Sequence, residues 1–88
     1  MPRYIIERTV GDLTPEQWDA AGHKSNEVLS QMEGVVWIRS YISHAEGKVY
    51  CEYDAPSKDA VVEHARLAGL PVDKVSEISL EISPMMFV

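Results

Sequence analysis

The topology turns on VVWIRSYISHAEGKVYCEYDAP, residues 35–56. Its two arms, VVWIRSYIS (35–43) and KVYCEYDA (48–55), are rich in β-branched and aromatic side chains that suit a pleated, half-buried surface. HAEG between them is a short glycine-bearing turn, so the stretch reads as a β-hairpin at the centre of the chain. What lies on either side then settles which sheet the hairpin joins.

On the N-terminal side stands a well-marked helix start. Thr14 is the N-cap, Pro15 takes the first helical position, and Gln17 sits where a capping box reaches back. Leu13 and Trp18 have the spacing of a hydrophobic staple. Trp18, Ala21, Ser25, Val28, Leu29 and Met32 recur at helical intervals, predicting a helix over 14–32 that Gly34 ends. Ahead of it, RYIIERTV (3–10) reads as a strand broken by GDL.

On the C-terminal side, Pro56 closes the hairpin and Ser57 caps a helix over 58–68, stopped by Gly69 and Pro71. VSEISLEIS (75–83) alternates as a last strand. The apolar tail PMMFV is expected to dock, either as a short extra strand or over neighbouring aromatics. Strand, helix, strand, strand, helix, strand is the split βαβ order. The expectation is an α+β, ferredoxin-like βαββαβ sandwich: one domain over 1–88, a four-stranded antiparallel sheet and two helices on one face.

Composition narrows the partners. Fourteen acidic against eight basic side chains give a net charge of −6, and no Lys/Arg cluster offsets it, which argues against nucleic acid. No apolar run is long enough to cross a membrane, and MPRYIIERTV lacks the apolar centre of a signal peptide. A cytoplasmic location is the expectation. The single cysteine, Cys51, excludes an internal disulfide and any zinc site of several thiolates. A chain this short buries only about 60–65% of its unfolded surface, so dimerisation would add stability.

Alternation fixes the faces. Ile78, Leu80 and Ile82 are the apolar set of the last strand and are read as facing the helices, with Glu77, Ser79 and Glu81 pointing away. In the hairpin Ile38, Ser40, Ile42, Val49, Cys51 and Tyr53 are read as helix-facing. Trp37, Arg39, Tyr41, Tyr50 and Glu52 are left on the open face. Three large aromatics among charges mark that face, through Trp37, Tyr41 and Tyr50, as a candidate homodimer surface. The competing reading has the tail folded back over them.

Two clusters carry candidate chemistry. His64 lies at the edge of the inward stripe Val61, Ala65, Ala68, from where it reaches the sheet face holding Ser40, Cys51 and Tyr53, with Arg8 from the first strand. These five make a candidate ligand pocket, given room by Ala60, Ala65 and Ala68. Against that, His64 can simply complete the core, and no acidic residue is placed to orient it as a base. Cys51, in mid-strand, reads as a buried thiol. The second cluster is Asp19, His23 and Glu27, spaced i, i+4, i+8 on the first helix, candidate ligands for nickel or zinc or merely a solvated stripe. His44 with Glu46 is a weaker pair. HxxxH, CxxC, phosphate-loop and nucleophile-elbow motifs are absent.

The segments RYIIER, WIRSYIS, KVYCEYDAP and EHARLAGLP followed by VSEI resemble a family of small bacterial proteins whose best-described kind is labelled nickel-binding. The resemblance implies a ferredoxin-like fold and homodimers whose sheets pack face to face, as in dimeric α/β-barrel proteins. The family's label points to nickel or another divalent metal as the cofactor, but the resemblance carries no ligands over; the metal candidates His23, Asp19, Glu27 and His64 are read from residue type and position alone. Ser40, Tyr41, Tyr50, Cys51, Tyr53 and His64 match as pocket framework.

Three functional readings follow. The first is a homodimeric binding protein for a divalent metal or small ligand, without catalysis. The second is a cofactor-free dimeric α/β-barrel enzyme, of monooxygenase or isomerase type, using His64, Tyr53 and Ser40. The third is a structural or regulatory interaction module.

Overall fold

A computed structural model, describing residues 1–88, shows β1 (Arg3–Thr9), α1 (Pro15–Leu29), β2 (Val36–Ser43), β3 (Lys48–Asp54), α2 (Lys58–Ala68) and β4 (Lys74–Ile78), then a 3-10 turn at Pro84–Phe87. The strands form one antiparallel sheet in the order β2-β3-β1-β4. Both helices cover one face of it. This is the ferredoxin-like arrangement, and each helix begins where its cap was legible. The Thr14 hydroxyl accepts from the Gln17 amide at 3.2 Å, and the Thr14 amide donates to the Gln17 side chain at 2.8 Å. Ser57 accepts from the Ala60 amide at 3.2 Å. At the far end of α2, Gly69 turns left-handed (φ +70) and the Leu70 amide reaches back to the Ala65 carbonyl at 2.9 Å.

Tyr4 and Ile6 from β1, Val49, Cys51 and Tyr53 from β3, and Val61 from α2 make the centre of the core. Burying a side chain such as Ile6 contributes about 1.5–3 kcal/mol. Only 13 of 88 residues are buried, so the core is thin and little stability is in reserve.

Five expectations are corrected. Register with β1 pairs Ile6 with Val75 and Tyr4 with Glu77, so Val75 and Glu77 share the helix-covered face while Ile78 lies on the open one. The alternation of the last strand was sound, but its parity was inverted, because its apolar set serves the uncovered side. That strand also stops at Ile78, not 83, since Ile78 pairs with Arg3 at the start of β1 and no strand remains beyond it. Leu80 and Ile82 are accordingly exposed. Trp37 pairs with Tyr53, and a bulge between Trp37 and Arg39 shifts the register. Trp37 therefore sits on the helix side, whereas Ser40 and Ile42, after the bulge, face as expected. Finally, α1 ends at Leu29, where the Ser30 hydroxyl bonds the Glu27 carbonyl at 2.6 Å, and the tail forms a 3-10 turn rather than a strand.

The hairpin turn is held against the end of β1. Gly47 (φ +65) offers its carbonyl to the Val10 and Gly11 amides at 2.9 and 3.0 Å. A Cβ there would meet the Gly11 Cα at 3.2 Å, backbone that cannot swing aside. Gly47→Ala is expected to lose about 1–3 kcal/mol in chemical denaturation. Gly22→Ala, with nothing within 4 Å and an ordinary helical φ, is expected to gain about 0.5–1 kcal/mol. Equal effects of the two would contradict this reading of the turn.

Candidate functional site

The alternation that buries Tyr4 and Ile6 also delivers Arg8 to the helix side, where its side chain is 1% exposed. Nη1 donates to the Pro71 carbonyl at 2.8 Å and Nη2 to the Tyr53 hydroxyl at 3.2 Å. Nε has no partner, and Arg8 belongs to no ion pair. A guanidinium stays charged in any protein environment, and burying it without a counter-charge costs several kcal/mol. The neighbourhood bears that cost with one carbonyl and one phenol.

Tyr53 leads on to His64, their rings tilted at 55° with centroids 5.4 Å apart. Burial, aided by the neighbouring Cys51 thiol, pushes the Tyr53 phenol up, while Arg8 and the Ser25 hydroxyl pull it down. His64 Nε2 lies 3.2 Å from the Ser25 hydroxyl and 3.4 Å from the Ser25 carbonyl. Burial holds His64 below its ordinary value of 6.5, and Arg8 lowers it further against the bond to Ser25. A neutral ring protonated on Nε2 satisfies Ser25 and leaves Nδ1, the atom without a partner, as a bare lone pair. Pro71, Arg8, Tyr53, Ser25 and His64 thus tie β1 and β3 to both helices. His64 works as a fastener between α2 and α1.

Between α1 and the sheet lies a partly open cavity of about 310 Å³, the low end of ligand-sized. Its origin is on α1, where Ala21, Gly22 and Ser25 present little bulk to the sheet. Trp18, Trp37, Ile42 and Val49 give it an apolar lining. The Trp37 indole donates to the Ser40 hydroxyl at 2.9 Å, and that hydroxyl donates to the Cys51 thiol at 3.0 Å. The Trp18 indole nitrogen is buried with no acceptor. Arg8, Cys51 and Tyr53 are the titratable groups on the wall, and no carboxylate is among them.

Arg8, Ser40, Cys51 and Tyr53 meet on this wall. His64 does not; it is fully buried beside Tyr53, under α2. The room beneath α2 that its alanines suggested is filled, since Val61, His64 and Ala65 are all buried there. On α1, His23 lies 3.5 Å from Asp19 on an exposed surface, and no group of three His, Cys, Asp or Glu side chains converges anywhere. Glu27 does not complete a metal centre, and His64 is fully buried while the pair is exposed. Tyr41 and Tyr50 stand on the open face, donating to Glu52 at 2.9 Å and Glu46 at 3.0 Å. Trp18, Ser25 and the Pro71 carbonyl were not singled out as site groups. Ser25 left a trace, a hydroxyl in an otherwise apolar helical stripe, and Ala21 with Gly22 marked the spacious helix.

A family model described as SCO4226-like, nickel responsive protein, matches residues 4–78. Among solved structures, the crystal structure analysis of SCO4226 from Streptomyces coelicolor A3(2) is similar, with a TM-score of 0.81 and 23% identity. The match covers 91% of this chain and 99% of that one, and at this identity it speaks to the fold. No curated protein matches the chain.

The His64 geometry has a pH signature. In the unfolded chain histidine titrates near about 6.5, while the folded protein keeps His64 neutral below that value. The unfolded state takes up the proton first, so stability falls as pH drops through 6.5 toward the folded value. Denaturation at pH 7.5 and pH 5 should show this loss in the wild type and a smaller one in His64→Gln. Identical slopes would contradict a neutral, buried His64.

Proposed function

The chain belongs to the SCO4226-like family of nickel-responsive proteins, and from that premise we propose a small cytoplasmic binding protein. It works as a homodimer, takes a small molecule into the cavity between α1 and the sheet, and performs no catalysis. The observation that carries the reading is the cavity itself: ligand-sized, apolar, and furnished with a buried cation. Its wall offers neither a histidine nor a carboxylate to move a proton, which is why binding is preferred to an enzymatic role.

Self-association is supported by the uncovered side of the sheet. Ile5, Tyr41, Ile78 and Leu80 border a depression of about 410 Å³ with Arg39 and Glu52. Beyond it, Ile82, Met85, Met86 and Phe87 are all exposed, a run of apolar side chains that a second copy would cover. A thin core gains from such a partner.

Nickel is the second reading, favoured by the family's description. Within one chain the donors do not fit a resident metal centre, because none converge in threes. His23 and Asp19 offer two donors at the surface, enough for loose attachment only.

Two measurements bear on the main reading. Small apolar molecules screened by NMR should shift the amides of Ala21, Gly22, Ser40 and Cys51, and Ala21→Phe should abolish the effect by occupying the space. Shifts confined to other surfaces would remove the cavity from the account. Light scattering after gel filtration should give the mass of two chains, reduced to one by Tyr41→Glu. A wild-type protein of single-chain mass at micromolar concentration would refute the dimer.

A further inference from the structure

β4 stops at Ile78, yet its alternation runs on. Ile78, Leu80 and Ile82 keep the period of two through residues 79–83, which join no strand or helix. Of the backbone groups of 79–83, the Ser83 carbonyl alone meets another, the Met86 amide at 3.1 Å. β1 has nothing left to offer them: it begins at Arg3, opposite Ile78, and Pro2 has no N–H and gives its carbonyl to Ala55. The side chains are as free. Leu80, Ile82, Met85, Met86, Phe87 and Val88 are between 60% and 98% exposed. Glu81 is tied to Arg3 at 3.9 Å, a surface pair of little worth. A strand-patterned segment with unmet backbone groups and apolar side chains has the properties of an arm that pairs with a sheet edge.

We propose that residues 79–83 add as a strand to the free edge of β2 in a second copy of this chain, the partner's arm returning the same contact. The inference rests on the dimer reading above and names its joint. Two edges of the sheet are open. β4 has five residues and starts with Lys74, a short charged edge of the kind that deters pairing. β2 is the longest strand, eight residues, with Val36, Tyr41 and Ile42 exposed. Its bulge lies between Trp37 and Arg39, so its regular part is the five positions 39–43. The arm has five as well, because Pro84 lacks the amide needed to go on. Charge agrees: the one ionised side chain in 79–88 is Glu81, and the one in β2 is Arg39. The arm cannot serve its own β2. β3 and β1 intervene, so that edge lies about 14 Å from β4, a span that uses about four extended residues and leaves too few before Pro84. A second copy imposes no such span, and two-fold symmetry makes the two joints identical and closes the assembly. The arm also departs on the correct side, since Leu80 and Glu81 border the same open-face depression as Ile5 and Tyr41.

The test reads the contact between copies directly. Isotope-labelled and unlabelled wild-type chains are mixed, and filtered NOEs, which arise only between different chains, are sought from the Leu80 and Ile82 methyls. They are expected to reach protons of residues 39–43 in the other copy. Amide exchange at residues 79–83 should slow by about 100-fold in the dimer relative to a sample diluted to single chains. Glu81→Pro removes the central amide of the arm at an exposed position outside the core, and should raise the dimer's dissociation constant about 10- to 100-fold. Glu81→Gln keeps that amide and should raise it only about 3- to 5-fold. An unchanged constant in Glu81→Pro, or Leu80 and Ile82 contacts confined to their own chain, would overturn the arm while sparing association through the open face. A wild-type protein of single-chain mass would remove the dimer and the arm together.

Discussion

A guanidinium enclosed by a small protein with no carboxylate at hand is the constraint around which this molecule is organised. Arg8 cannot shed its charge, so the fold surrounds it with what dipoles it has: the Pro71 carbonyl after α2 and the Tyr53 hydroxyl on β3. Tyr53 in turn packs on His64, and His64 fastens α2 to Ser25 of α1. The polar chain crosses every layer. A hydrophobic residue at position 8 would spare the desolvation, as buried ionic groups commonly cost more than their apolar replacements.

The same parity on β1 separates two surfaces with different tasks. Tyr4, Ile6 and Arg8 turn to the helices and make the core and cavity; Arg3, Ile5 and Glu7 turn to the open face. On that open side, polar pairs such as Arg3 with Asp54 at 3.1 Å and Arg39 with Glu52 at 3.7 Å surround Ile5 and Ile78. Arg3 holds the Asp54 carboxyl below its ordinary value by hydrogen bonding and charge. The proposed dimer would bury this lattice and the exposed apolar tail, leaving the cavity on the opposite side of the sheet free for its ligand.

The element order was written plainly in the sequence because each element carries its own local signal. Thr14, Pro15 and Gln17 start α1, Ser57 starts α2, and Gly69 stops it; these act within a few residues and need no tertiary context. Facing was harder. Ser40, Cys51 and Tyr53 alternate with polar neighbours in an uninterrupted strand, and their side of the sheet was legible. Trp37 was misplaced because one extra residue at a bulge inverts parity, and nothing in the local sequence announces it. The last strand failed for a different reason. Apolar alternation reveals that one face is shielded, not what shields it, and Ile78 faces the side without helices. The site was half legible: Arg8, Ser40, Cys51 and Tyr53 share one face of paired strands, with Ser40 opposite Cys51, whereas the empty space depends on small residues of α1 meeting a sheet distant in sequence.

The state of the Arg8 side chain in the ligand-free protein is the most direct gauge of this account, and the arginine Nε–H signals in NMR report it. The account predicts that the Arg8 proton exchanges with water far more slowly than that of exposed Arg39, and that no carboxylate accepts it. An Arg8 signal exchanging as fast as that of Arg39, or one hydrogen-bonded to an aspartate or glutamate of the protein, would contradict it.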